Sequence, residues 1–337
     1  MKEYKAVYFT GPSQVEICTI SLPPLTQGQM LVESIYSAIS PGTEVLVYRG
    51  QFPQGLLDAN DAFSSNLRYP MAYGYATVGR VVKISKDVRH RWKDRLVFAF
   101  QPHSSHFIAT ADELMPLPDG ISPEAACFLP NMETAVNFVH DATPMLGERA
   151  LVFGQGIVGL LTTALLREFP LDSLVTCDCY PLRRETSMSL GVSYSLDPNA
   201  SNFHGEVRKL IPTGADLSLE LSGSPDALND AISLTGFGGR VVIGSWYGEK
   251  QAHLNLGGEF HRSRIKLISS QVSTVAPELS SRWDKKRRYE VAWDALKRFH
   301  PERWITHRIP LGDAAQAYRL LDENPGNTIQ VMLQYEV

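Results

Sequence analysis

The segment Gly154-Gln155-Gly156-Ile157-Val158-Gly159 follows an apolar run at 150–153 and opens a second apolar run, 158–168, with helical spacing. Strand, glycine turn and helix in that order form the start of a unit that cradles a pyrophosphate. The first glycine permits the tight turn, the second lets the backbone approach the phosphates, and the third lets helix and strand pack closely. The helix N-terminus then supplies unpaired N–H donors and partial positive charge. A further strand, 174–177, leads into Asp178. It stands about 20 residues beyond the glycines, where a carboxylate accepts adenosine ribose hydroxyls. That charge repels a 2′-phosphate and points to NAD, whereas Arg183 and Arg184 just beyond could pair with such a phosphate and keep NADP open.

The pattern around this segment repeats strand and helix: a helix at 182–190, strands at 217–221, 240–245 and 265–272, and a helix at 227–234. Continuously apolar strands alternating with helices imply a parallel sheet covered on both faces. The first third differs. Short β-type runs at 5–8, 30–39, 77–84, 95–100 and 106–110 are punctuated by Gly and Pro. A helical stretch at 123–140, interrupted at Pro130, marks the join between the two patterns. After residue 272 come helices at 284–299 and 312–321 and a last strand at 329–335. A chain of 337 residues suits two such domains rather than one core.

Charge narrows the partners. Lys and Arg number 32 against 36 Asp and Glu, a net charge of −4, so nothing favours a phosphate backbone and nucleic acid is not expected. No run is long and apolar enough to span a bilayer, and residues 1–10 read as an alternating strand rather than a signal peptide. The four cysteines, Cys18, Cys127, Cys177 and Cys179, are too scattered for a disulfide framework. The expectation is a cytoplasmic protein without membrane attachment.

Together these features resemble the medium-chain dehydrogenase/reductase superfamily over nearly the whole chain. Ile39-Ser40-Pro41-Gly42-Thr43-Glu44 resembles the segment reading Cys-Gly-Thr-Asp in zinc alcohol dehydrogenases. Likewise Gly74-Tyr75-Ala76, followed by Val78-Gly79-Arg80-Val81-Val82, resembles their Gly-His-Glu segment and the strand after it. The resemblance implies an α/β chain with a GroES-like, mostly β catalytic domain at 1–131. A doubly wound Rossmann domain follows at 132–272, and 273–337 returns to the first domain. It also places Pro41, Tyr75 and Pro130 at the catalytic zinc positions, where none can bind as Cys, His or carboxylate does. The cysteines of a structural zinc lobe are absent between Cys18 and Cys127. A zinc-free member is therefore expected, with no metal ligands. Its motifs look most like the 3-hydroxyethyl bacteriochlorophyllide dehydrogenase branch, although Ala76 departs from that branch's acid and the substrate does not transfer.

Without a metal, the protein must polarise a carbonyl oxygen and move one proton. Tyr75, at a ligand position, is the first candidate donor, against the alternative of an aromatic ring filling the vacated space. Thr43, Glu44 and His103 complete the catalytic candidates, with His106 beside the last; a turn cap, an ion pair and structural histidines are the plainer readings. For the cofactor, the resemblance adds Thr134, Ser222, Gly244, Ser245 and Gln271 to the glycine loop, Asp178 and Arg183. The basic run 282–288 fits either a solvated first helical turn capped by Asp284 or an anion nearby, such as an acidic substrate. The expected activity is zinc-independent, NAD(H)-linked oxidation of a small alcohol or reduction of a ketone. A quinone or enoyl reductase and a non-catalytic nucleotide sensor are the alternatives. A homodimer is expected, with 247–265 contributing, and the loop 51–70 is expected to shape the substrate cleft.

Overall fold

The computed structural model describes residues 4–52 and 67–336, so most of the loop 51–70 lies outside the described residues. The chain divides into two compact units, Met1–Pro130 with Leu296–Val337, and Asn131–Ala295.

In the first unit, β1 (Tyr4–Gly11) and β2 (Gln14–Ile20) form an antiparallel hairpin. Next come β3 (Met30–Ala38), α1 (Pro41–Arg49), β4 (Met71–Ala72), β5 (Thr77–Ile84), β6 (Leu96–Ala99), β7 (His106–Ala109) and β8 (Met115–Pro116). Alternation along β3, with Met30, Val32 and Ser34 buried, gives the half-covered antiparallel strand that period-two patterning predicts. Pro123–Ala126 forms α2, and Leu129–Ala142 forms α3, which carries Pro130 in its first turn, where a missing N–H costs no hydrogen bond. The interruption read at Pro130 is thus a helix start.

The second unit alternates β9 (Arg149–Phe153), α4 (Ile157–Leu166), β10 (Ser173–Cys177), α5 (Pro181–Ser189), β11 (Tyr194–Leu196), α6 (Phe203–Leu210), β12 (Ala215–Glu220), α7 (Pro225–Leu234), β13 (Thr235–Ile243) and β14 (Lys266–Ser269). The strands pair in parallel in the order β11-β10-β9-β12-β13-β14, which is the doubly wound Rossmann arrangement. Leu151, Phe153, Val175, Leu228 and Val241 fill one of its cores. The α/β class expected from the sequence is the one observed.

The remaining elements are α8 (Lys285–Phe299), β15 (Ile305–Pro310), α9 (Ala314–Glu323) and β16 (Gln330–Gln334), and β16 pairs with β3 inside the first unit. Here the boundary differs from the sequence reading, which placed the return at 273. The cause is Arg288. Its guanidinium donates to the carbonyls of Val272 and Thr274 and to Glu133 and Asn137, so α8 as far as Ala295 belongs to the second unit.

Candidate functional site

Phe153 on β9, Cys177 on β10, Glu220 on β12 and Ile243 on β13 stand in register, so the turns after these four strands share one edge of the sheet. Gly154 there has φ +89°, and a Cβ on it would lie 2.7 Å from the backbone of Leu221 and Ser222. A Cβ on Gly159 would lie 2.0 Å from the Gly154 carbonyl oxygen. Both positions therefore exclude a side chain. Gly156 is different: as the N-cap of α4 it faces open space, and a Cβ there would meet only the Arg183 guanidinium, at 3.8 Å. With the N–H groups of Ile157, Val158 and Gly159 in the first helical turn, this is a cradle for an anion.

Asp178 closes its rim. One carboxylate oxygen accepts the Gln155 N–H (2.7 Å) and the other the Tyr180 N–H (2.9 Å), and each keeps a lone pair for a further donor. Arg183 lies 3.9 Å from this carboxylate and over the Tyr180 ring. Arg184 is committed elsewhere, to the Asp178 carbonyl and to Asp197. Gln155 contributes its backbone only; its buried side chain donates to the Gly154 carbonyl and accepts from Thr163.

Three of the cofactor residues expected by resemblance are engaged within the protein. Ser222 Oγ donates to Glu220, Ser245 Oγ accepts the Gly223 N–H, and Gln271 closes a turn on Ser273. Gly244 packs against Phe138 and Leu221, and Thr134 is half-buried on α3. Two buried charged groups organise this unit. Glu220, which the sequence reading passed over, is the carboxylate that ends β12. Arg288, which it placed in the basic run, is buried on Glu133. The basic run thereby loses its appearance as an anion site: Arg288 is neutralised internally, Arg287 stacks on Trp283, and Asp284 caps α8 by accepting the Arg287 N–H.

In the first unit, the catalytic candidates Glu44 and His103 lie inside the protein rather than on its surface. Both are wholly buried, and together they occupy the centre of a chain of hydrogen bonds. One oxygen of Glu44 accepts the Ser40 N–H; the other accepts His103 Nε2–H (2.9 Å) and the Tyr318 hydroxyl (2.6 Å). His103 Nδ1 lies 2.6 Å from Ser37 Oγ, which lies 2.8 Å from the Tyr335 hydroxyl. A neutral imidazole protonated at Nε2 satisfies every group, with Tyr335 donating to Ser37 and Ser37 to Nδ1. Burial and Glu44 push the Tyr318 hydroxyl well above the usual phenol range, which keeps it a donor. Both side chains are thus enclosed, with their polar atoms bonded within the unit. Thr43 and Tyr75 remain half-buried, Thr43 in the first turn of α1 and Tyr75 with its ring edge-on to Tyr73. His106 faces Glu33 at 3.4 Å and packs on Tyr4.

A zinc ion fits these residues poorly. Pro41 and Pro130 carry no side-chain donor, and among the described residues no three His, Cys, Asp or Glu side chains gather as a ligand set.

Residues 158–285 match the family described as zinc-binding dehydrogenase, a span that contains none of Pro41, Tyr75 and Pro130. D-guloside 3-dehydrogenase of Escherichia coli (strain K12) is 23% identical over 346 residues, covering 97% of this chain and 99% of that protein. Among solved structures, an Escherichia coli oxidoreductase/dehydrogenase of unknown specificity involved in membrane biogenesis superposes with a TM-score of 0.82 at 16% identity, covering all of both chains. The alcohol dehydrogenase rspB of E. coli CFT073, complexed with NADH, gives 0.79 at 17% identity over 98% of this chain and 99% of its own. The family match thus lies within the second unit, and the solved structures share the fold over nearly the whole chain.

Proposed function

We propose that the protein is a zinc-independent, NAD(H)-linked dehydrogenase acting on a secondary hydroxyl or ketone of a small alcohol or sugar. The observation that carries this reading is the Gly156 cradle with Asp178 fixed at its rim, a shape and charge that fit a dinucleotide. The NADH in the rspB structure and the sugar substrate in the name of D-guloside 3-dehydrogenase support it. Bound NAD(H) would exchange a hydride with the substrate carbon. The first-turn N–H groups of α4 hold the pyrophosphate, and Asp178 accepts from the ribose hydroxyls while repelling a 2′-phosphate. Tyr75 donates a hydrogen bond to the substrate oxygen as it becomes negative. With Glu44 and His103 buried, Thr43 is the other hydroxyl available to carry the proton. The edge position of β14 in its sheet supports assembly as a homodimer.

The test is alcohol- and sugar-dependent NAD reduction, measured in chelator on the unmodified protein and on Tyr75→Phe. Turnover should survive chelation, and Tyr75→Phe should lower kcat by roughly tenfold to a thousandfold with cofactor affinity nearly unchanged. Chelator-sensitive turnover with about one zinc bound per chain would overturn the zinc-independent reading. Full kcat in Tyr75→Phe would transfer the donor role to Thr43.

A further inference from the structure

Glu220 ends β12 with none of its surface exposed. An ionised carboxylate so placed is costly unless donors surround it, and four do. One oxygen accepts the Ser222 N–H (2.7 Å), the Ser222 hydroxyl (2.5 Å) and the Gly223 N–H (3.0 Å). The other accepts the Tyr247 hydroxyl (2.7 Å). Three donors thus come from the turn after β12 and one from the turn after β13. Two more bonds join the same turns, as Gly223 N–H donates to Ser245 Oγ (2.8 Å) and Lys250 Nζ donates to the Gly223 carbonyl (2.9 Å). Burial and the facing carboxylate raise the Tyr247 pKa, so its hydroxyl stays protonated as a donor. Capping one strand end needs only a neutral side chain such as Ser or Asn; Glu220 instead bonds two separate turns into one piece.

Those turns stand where the second half of a dinucleotide has to lie. Strand order at this edge runs β10, β9, β12, β13. The ribose acceptor Asp178 follows β10 and the pyrophosphate cradle follows β9, so continuing in that direction brings a bound dinucleotide over the ends of β12 and β13. The glycine turn also touches the first of them, through Gly154 against Leu221 and Ser222.

We propose that Glu220 is a positioning residue for the nicotinamide half of the cofactor, acting by locking turns 222–224 and 245–250 together through Tyr247. The inference rests on the dinucleotide reading above. It separates the two halves of the ligand: Glu220 matters to the nicotinamide half and is indifferent to the adenosine and pyrophosphate half.

Calorimetric titration with NADH and with ADP, which lacks the nicotinamide half, tests this on the full-length protein. Glu220→Ala should weaken NADH at least about tenfold while ADP stays within about twofold, the loss expected when several donors lose a charged acceptor. Tyr247→Phe removes one donor without emptying the strand end and should weaken NADH about threefold, again sparing ADP. Glu220→Gln should restore most of the affinity, because its amide oxygen still accepts from the turn. NADH and ADP weakened equally, or NADH unchanged in both Glu220→Ala and Tyr247→Phe, would overturn the proposal. Should Glu220→Ala fail to fold, Tyr247→Phe decides alone. If the unmodified protein binds ADP but not NADH, the proposal falls and the adenosine cradle stands; if it binds neither, the dinucleotide reading itself falls.

Discussion

Two carboxylates show how differently the two units use the same chemistry. Asp178 ends a strand, and its side chain is 6% exposed. It accepts from two backbone N–H groups, one on each oxygen, which leaves each oxygen a further lone pair. Glu44 sits in the first turn of a helix, fully enclosed, and spends its oxygens on Ser40, His103 and Tyr318. The first keeps acceptor capacity beyond its backbone partners; the second joins the start of α1 to His103 and to α9 within its own unit. A carboxylate beside a family motif therefore reveals little of its task until its partners are counted.

The largest expected effect comes from breaking the enclosed carboxylate. Glu44→Ala leaves His103 Nε2–H, the Tyr318 hydroxyl and the Ser40 N–H without an acceptor, which should cost about 3–5 kcal/mol of stability. Denaturant unfolding of the variant measures it, and NADH titration should show cofactor affinity unaltered. A variant that keeps its unfolding midpoint and loses only turnover would restore Glu44 to the catalytic candidates and dissolve the contrast with Asp178.

At the sheet edge the opposite pattern should hold. Gly156→Val places its side chain in open space beside Arg183, so the unfolding midpoint should hardly move. The same side chain fills the cradle, and NADH affinity should fall by roughly a hundredfold, about 2.7 kcal/mol. Tight NADH binding by this variant would mean that the pyrophosphate does not lie on Gly156.

The contrast explains what could be read in advance. The Rossmann strands and the glycine turn were legible because backbone geometry there dictates residue type: no side chain fits at Gly154 or Gly159. The helix α1 was missed. Glu44, Val45, Leu46, Val47 and Tyr48 are all buried, so the segment lacks a polar face and its β-branched residues imitate a strand. β11 was missed because three residues carry too little pattern, and α6 because its apolar face, Phe203 and Val207, is only two residues wide. For the site, residue type singled out Asp178, Glu44 and His103 alike but not the enclosure of the last two, which depends on Tyr318, 274 positions from Glu44, and on Tyr335, 298 positions from Ser37. Arg288 was likewise assigned to a charged run, although Glu133 far upstream neutralises it. Local sequence carries backbone constraints well and long-range charge pairing poorly.

The two histidines give the smallest and sharpest test. His103 faces a carboxylate, whereas His140, on α3, lies beside the Trp283 ring at 4.2 Å. Burial first, then Arg288, Arg287 and Arg282, lower the His140 pKa from 6.5 to about 4. The unfolded chain therefore takes up a proton at higher pH than the folded one, so this residue's contribution is constant above about pH 6.5 and is lost as the pH falls toward 4. Allowing for partial exposure, the loss between pH 7 and pH 5 is on the order of 1 kcal/mol. Asp141 next to it works in the other direction, since burial raises its pKa and the folded state takes that proton first. It is common to both proteins when the unmodified chain is compared with His140→Gln, so the difference between their stabilities isolates His140. Chemical denaturation of each at pH 7 and pH 5 should show the unmodified chain losing more stability than the variant. Equal losses would mean that His140 titrates alike in the folded and unfolded chain, and that the three arginines exert no net field on it.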